Sequence, residues 1–166
     1  MSITVPKVIV EELRRRAKRA GASVDEYLLD LLTRDSDPEE AWRKYLAGGG
    51  AAPRSVREEL GRGDLRQASE KLWGACALAV KAHALAKKAK KIESHAELWE
   101  YKDQVAQEIG EWIRPAFRQA SLMHTNFYEN QATKKDIEDV LREVKNLVEA
   151  ISQKLKQRQT SNNKHG

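Results

Sequence analysis

The chain has 166 residues, of which 40% are hydrophobic and 33% are charged, and its formal net charge is +5. This balance is typical of a folded globular protein and excludes an intrinsically disordered chain. The sequence lacks a run of about eighteen apolar residues, which argues against a membrane-spanning helix, and it lacks a secretory signal. We therefore expect a cytoplasmic protein that does not contact a membrane.

The first part of the chain predicts a helical hairpin. Apolar residues recur at helical spacing after Pro6, and Gly21 is placed to end this first helix. Ser23 and Glu26 form the capping-box pattern that begins a second helix. With a short third helix that starts at Pro38, this hairpin would make up an N-terminal unit over residues 1–47.

Glycine and proline interrupt the helical pattern in residues 48–54. Three consecutive glycines followed by Pro53 have low helix propensity, so the segment is predicted to be a Gly-rich linker. A short helix is expected to begin near Ser55.

Residues 64–88 are predicted to form the central helix of a bundle. Apolar residues recur at intervals of three and four, and Asp64 with Gln67 has the spacing of a capping box. Many of the inner residues are alanine or glycine, which lets neighbouring helices approach closely.

Two further regions of helix follow the central one. Ser94 and Glu97 predict one helix start, and a second apolar pattern runs from Trp112 to Leu122. The last helix is predicted to begin after Thr133, and residues 157–166 are expected to be a disordered tail. No alternating strand pattern appears after residue 5, so the predicted fold class is all-α.

Three segments of the sequence have a distinctive combination of residues. They are GDLRQASEKLWGACALAVKAHA at 63–84, SHAELWEY at 94–101 and FRQASLMHTNFYEN at 117–130. Together they resemble the archaeal PaREP family of small proteins, which is grouped with the HEPN superfamily. The resemblance implies a HEPN-like up-and-down bundle of four or five helices over residues 55–156, preceded by the N-terminal helical hairpin, and it implies a homodimer.

The same resemblance implies a possible activity. Many HEPN proteins are metal-independent RNases or toxins, whose mark is an arginine followed by four to six residues and a histidine. Arg118 and His124 have this spacing. A histidine with a pKa near neutrality can take a proton from a ribose 2′-hydroxyl, and an arginine can hold the scissile phosphate. Arg118 and His124 are therefore the predicted catalytic residues.

Helix geometry sets a condition on this pair. Six positions along a straight helix rotate a side chain by about 240° and raise it by about 9 Å, so the two side chains do not share a face. They would meet only across a symmetric dimer, or if the helix ended near Thr125.

Three more residues are predicted to bind a ligand, one because it lies in a segment of the resemblance and two because they closely follow His124 and could line the same pocket. They are His95, Asn126 and Tyr128. Each also has a structural interpretation, namely a helix cap for His95 and packing for the residues that follow His124. Cys76 and His83 share a helical face, but zinc requires further ligands at comparable spacing, so no metal and no cofactor is predicted.

Three functions remain open at this point. The first is a HEPN-like metal-independent endoribonuclease or toxin that acts on RNA and has a cognate antitoxin as partner. The second is a non-catalytic helical module that binds a nucleotide, a nucleic acid or a protein. The third is a ribbon-helix-helix DNA-binding protein, which the first thirty-four residues resemble, although residues 2–5 make a short strand.

Overall fold

A computed structural model describes residues 2–164, and in this range the chain forms eight α-helices and no strand. The helices are α1 (Lys7–Ala20), α2 (Val24–Leu32), α3 (Pro38–Gly50), α4 (Ala52–Gly61), α5 (Leu65–Lys88), α6 (His95–Ile109), α7 (Ile113–Glu129) and α8 (Lys134–Asn163). The predicted all-α fold class is confirmed. None of the helices in this part of the chain combines the length and the apolar character that crossing a membrane requires.

Helix α5 lies at the centre of the bundle. Every residue from Leu72 to Ala86 is buried, and α5 packs against α2, α3, α4, α6, α7 and α8. Its small residues allow close packing: a Cβ atom at Gly49 of α3 would lie only 3.1 Å from the carbonyl oxygen of Ala75. The alanine-rich sequence thus places the backbone of α5 within reach of six other helices.

Most of the predicted helix ends are present. Gly21 ends α1 in the left-handed conformation, with a φ of 65°. Complete capping boxes form at Ser23 and at Thr133. At Asp64 and Ser94 the side chain caps the helix, and no complete box is formed.

The predicted Gly-rich linker is not found. Residues 48–50 lie inside α3, and α4 begins at Ala52 after a single intervening residue. Packing of Gly49 against α5 compensates for a helix propensity that is about 1 kcal/mol poorer than that of alanine. Trp42 and Tyr45 belong to the same hydrophobic core as α5, so this core includes residues from both sides of the predicted boundary.

The end of α8 also differs from the prediction. The helix continues to Asn163, through most of the segment that was expected to be a disordered tail. Leu155 is its last buried residue, and the following turns are polar, which is why the hydrophobic pattern ends there. The segment 157–163 contains no glycine or proline that would stop the helix. Residues 165 and 166 of the predicted tail lie outside the described residues.

Candidate functional site

The two predicted catalytic residues lie on one continuous helix. Helix α7 runs without interruption from Ile113 to Glu129, so the condition that it ends near Thr125 is not met. Arg118 is exposed and has no hydrogen-bond or ion-pair partner among residues 2–164. His124 is turned toward α5, and its side chain is 16% exposed. A single chain therefore does not bring Arg118 and His124 together.

His124 is instead paired with a carboxylate of α5. Its Nδ1 atom lies 3.2 Å from Oε2 of Glu70, whose side chain is also largely buried. When Nδ1–H donates to this carboxylate, Nε2 carries the lone pair of the neutral imidazole. Nε2 has no hydrogen-bond partner in the part of the chain that the structure describes, so it is available as a base.

Two other predicted binding residues lie beside His124. The ring centroid of His95 is 6.3 Å from that of His124, and the ring of Tyr128 stands nearly perpendicular to His124 at 5.5 Å. The ring of Trp73 packs against both imidazoles, with its centroid 5.4 Å from that of His95 and 5.7 Å from that of His124. We refer to Glu70, Trp73, His95, His124 and Tyr128 as the histidine cluster.

The second imidazole of the cluster, His95, is held by a hydrogen bond within α6. Its Nε2 accepts a hydrogen bond from the indole N–H of Trp99 at 2.8 Å, so this nitrogen is unprotonated. Burial, together with the nearby His124, lowers the pKa of His95. His95 is therefore neutral near pH 7 and is suited to packing and hydrogen bonding more than to binding a phosphate.

The N-terminal hairpin forms one wall of the histidine cluster. The turn between α1 and α2 places Gly21 against His95, where an added Cβ atom would lie 3.2 Å from the histidine Cβ. On the same side, Nζ of Lys18 lies 5.0 Å from the centre of the Tyr128 ring. The hairpin thus limits access to the imidazoles from this side.

Asn126, also predicted to bind a ligand, has a structural role. It is buried, and its Oδ1 accepts hydrogen bonds from the backbone N–H groups of Gln131 and Ala132, each at 2.6 Å. Its Nδ2 donates to Oγ of Ser69 on α5 at 2.7 Å. These bonds hold the connection from α7 to α8, and they leave Asn126 outside the histidine cluster.

Trp73 and Glu70 are the two members of the cluster that were not predicted from the sequence, and the charged one of the two is Glu70. It lies in the segment 63–84 that carries the family resemblance, and it is buried on a helix whose other inner residues are mostly alanine and other apolar residues. A carboxylate on the inner face of such a helix could have indicated a functional or paired residue, because buried charges require partners.

Among residues 2–164, the remaining histidine and cysteine side chains, His83 and Cys76, have packing roles. His83 is 2% exposed, and its nitrogens lie 2.9 Å from the Tyr101 hydroxyl and 2.8 Å from Oε2 of Glu108. Burial raises the pKa of the Cys76 thiol, so it stays protonated. Among residues 2–164, no group of three or more histidine, cysteine or acidic side chains is arranged to hold a metal ion.

Comparison with known proteins identifies one family. The archaeal PaREP1/PaREP8 family matches residues 53–148, which is more than half of the 166 residues. This range contains every member of the histidine cluster, whereas the hairpin wall lies outside it. No curated protein and no solved structure matches the chain. The predicted PaREP resemblance is thereby confirmed, and the chain belongs to the archaeal PaREP1/PaREP8 family.

Proposed function

We propose that this protein is a HEPN-like, metal-independent endoribonuclease that acts on RNA in the cytoplasm as a homodimer, with His124 as its general base. The observation that carries the proposal is the Glu70–His124 pair, which lies on helices that the family match includes. A carboxylate that holds one imidazole nitrogen and leaves the other open is the arrangement by which enzymes orient a histidine base.

The chemistry follows from the open Nε2 atom. It takes the proton of a ribose 2′-hydroxyl, and the 2′-oxygen then attacks the adjacent phosphorus. The bond to the 5′-oxygen of the next nucleotide breaks, which leaves a cyclic 2′,3′-phosphate. The proton held on Nε2 passes to the departing 5′-oxygen, so no metal or co-reactant is consumed.

Arg118 is assigned to the phosphate backbone of the RNA. Its guanidinium is exposed and has no partner among the described residues, so it is free to bind phosphate. Because it lies about 9 Å from His124 along α7, it does not serve the same reacting phosphate within one chain. In the proposed homodimer, Arg118 of one copy lies beside His124 of the other, which is the condition that helix geometry sets for this pair.

The test is cleavage of single-stranded RNA in the presence of a chelator. We expect His124→Ala to reduce cleavage by about 10²–10⁴-fold, which is the usual contribution of a general base. Glu70→Gln should reduce it by at least about tenfold, because the amide no longer orients the imidazole as the carboxylate does. His83→Gln is the matched control, since His83 is also paired with a glutamate but is fully packed. Cleavage that survives in His124→Ala would refute the catalytic proposal.

A second candidate is a non-catalytic module that binds RNA. The separation of Arg118 from His124 on the continuous α7 favours this function, because binding requires no catalytic pair. It predicts that RNA binding survives His124→Ala, whereas Arg118→Ala weakens binding and lowers the slope of log affinity against log salt by about 1. Arg57→Ala is the control, because Arg57 is exposed on α4 and likewise has no partner in the described chain. A wild-type protein that binds in this way without cleaving RNA would identify the second candidate.

A further inference from the structure

Tyr128 is an exposed aromatic residue beside the proposed general base. It is 39% exposed, and its ring centroid lies 5.5 Å from that of His124. The ring also packs edge-on against Phe127 at 4.9 Å, which fixes its position. Burial of part of the side chain, together with Glu70, raises the pKa of Tyr128, so the hydroxyl is uncharged near pH 7 and does not repel a phosphate. Such a ring is a surface on which a nucleic-acid base can stack.

Two cations lie beside this aromatic pair. Nζ of Lys18 on α1 is 5.0 Å from the centre of the Tyr128 ring, and Lys18 is exposed and has no carboxylate partner among residues 2–164. The guanidinium of Arg66 on α5 is 5.6 Å from the centre of the Phe127 ring. Its Nε donates to the carbonyl oxygen of Phe127, whereas its two terminal nitrogens have no partner in the described chain. Aromatic rings with cations beside them are typical of sites that bind single-stranded nucleic acid.

A large groove between α7 and α8 is unsuited to RNA. It has a volume of about 840 Å³, and neither His124 nor Tyr128 lines it. Its charged lining residues are four acids and one base, namely Glu129, Asp136, Asp139, Glu143 and Arg142. The base is already paired with one of the acids. This excess of negative charge repels a phosphate backbone, so an RNA strand is favoured on the side of α7 that carries His124.

We propose that Tyr128 and Lys18 form a subsite for one unpaired nucleotide of the RNA strand, next to His124. The base stacks on the Tyr128 ring, and the Lys18 ammonium moves from the ring to the phosphate of that nucleotide. A base stacks on an aromatic ring more strongly than an exposed cation contacts it, and the ammonium gains a charged partner, so the exchange is favourable. Arg66, on the Phe127 side, binds a neighbouring phosphate.

The subsite selects unpaired RNA and does not select a particular base. A base can stack on Tyr128 only after it has left its neighbours in the strand, which a duplex opposes. Every base has a flat face that can stack, so the contact tolerates any sequence. Lys18 lies outside the range 53–148 that the family match covers, so the N-terminal hairpin supplies a part of this subsite that the matched bundle lacks.

The inference deepens the proposed function and rests on it in taking RNA as the ligand. Binding and cleavage can nevertheless be measured separately. A short RNA strand with 2′-O-methyl groups throughout lacks the hydroxyl that His124 deprotonates, so it can bind and is not cleaved.

The first experiment measures binding of this strand by fluorescence anisotropy. Tyr128→Leu should weaken binding by roughly 5–150-fold, which corresponds to the loss of one stacked base. Tyr128→Phe should bind like the wild type, because the ring remains. Trp112→Leu is the matched control, since Trp112 is 40% exposed but lies about 18 Å along α7 from His124. Circular dichroism verifies that each variant folds. Wild-type affinity in Tyr128→Leu would overturn the proposal.

The second experiment repeats the binding measurement over a range of salt concentrations. Lys18→Gln and Arg66→Gln should each lower the slope of log affinity against log salt by about 0.7, the value for one phosphate contact on a single strand. Lys156→Gln should leave the slope unchanged, because Lys156 is equally exposed and unpaired in the described chain but lies near the end of α8. If Lys18→Gln keeps the wild-type slope, Lys18 does not bind a phosphate and the subsite is wrong.

Cleavage of unmodified RNA separates this proposal from the proposed function. Tyr128→Leu should raise KM by about the factor by which it weakens binding, with kcat little changed, whereas His124→Ala lowers kcat. A wild-type chain that binds the 2′-O-methyl strand through Tyr128 but cleaves no RNA would refute the RNase and support the subsite. A duplex that binds as tightly as the single strand would refute the subsite, whether or not the chain cleaves RNA.

Discussion

Lys81 is a buried lysine of α5 whose charge is held between two carboxylates of α2. Its Nζ lies 2.8 Å from Oε1 of Glu26 and 2.8 Å from Oδ2 of Asp30, and its side chain is 7% exposed. Asp30 also accepts a hydrogen bond from the Tyr45 hydroxyl at 2.6 Å. Burial acts against the charge, but the two carboxylates outweigh it and raise the pKa of Lys81. This network attaches the N-terminal hairpin to the bundle.

Lys81→Met should destabilise the protein by about 3–5 kcal/mol, because it leaves Glu26 buried without its cation. Lys71→Met is the matched control, since Lys71 also joins α5 to an acid of α2, Asp25, but at the surface. Its loss should cost no more than about 1 kcal/mol. Urea denaturation gives both values, and equal effects from the two substitutions would contradict the assignment.

His95 should make the protein less stable in mild acid. Burial first, and then the nearby His124, lower the pKa of His95 below its ordinary 6.5, although Glu26 and the backbone of Gly21 act in the opposite direction. Below pH 6.5 the unfolded chain therefore binds a proton that the folded chain resists. The free energy of unfolding should decrease as the pH falls from about 7 to about 5.

Two measurements test this prediction for His95. The pKa of His95, followed by its NMR resonances, should lie below 6.5 in the folded protein. His95→Gln should make the pH dependence of the unfolding free energy less steep. A folded-state pKa at or above 6.5 would show that the site does not exclude the charged imidazole.

Glycines decide how closely the helices pack against α5. Gly74 faces the start of α2, where an added Cβ atom would lie 2.6 Å from Oγ of Ser23, the residue that caps α2. Gly50, at the end of α3, has no atom within 4 Å of the same construction. Gly74 therefore has no room for a side chain, whereas Gly50 has, although both lie in helices.

Gly74→Ala should destabilise the protein by about 1–2 kcal/mol, because the methyl group displaces Ser23 from its capping position. Gly50→Ala should instead stabilise it by about 0.5 kcal/mol, because alanine has the better helix propensity and meets no neighbour. Thermal denaturation of the two variants provides the comparison. If Gly74→Ala proves as stable as Gly50→Ala, the close contact between α5 and the Ser23 cap is absent in solution.

At the scale of the whole molecule, a single hydrophobic core joins α3 to α8. It includes residues from Ala41 in α3 to Leu155 in α8, and Trp73 is among the fully buried side chains near its middle. Since α4 follows α3 after one residue, no flexible segment separates the third helix from the bundle.

The bundle should therefore unfold as one cooperative unit. Far-UV circular dichroism reports on the helices and tryptophan fluorescence on the core, and the two urea transitions should coincide. A separate early transition that exposes Trp42 of α3 would indicate that the region before residue 54 unfolds independently, as the predicted linker implied. A Trp42→Phe variant identifies the source of such a signal.

The amino-acid sequence by itself determined the local features of this protein. The all-α class, the central helix, the turn at Gly21 and the residues that cap the helices follow from hydrophobic periodicity and from backbone preferences, both of which act over a few residues. Where long-range packing competed with these preferences, the prediction failed. Residues 48–50 are helical because Gly49 packs on α5. The extension of α8 was missed for a different reason: beyond Leu155 the helix is polar, so no hydrophobic pattern marks it, and no residue ends it.

Only the tertiary structure decided which side chains meet. Glu70 and His124 are far apart in the sequence, and no local pattern pairs them, whereas Arg118 and His124 are close in sequence but separated on α7. Contacts between distant residues depend on how whole helices pack, and that packing is a property of the complete chain.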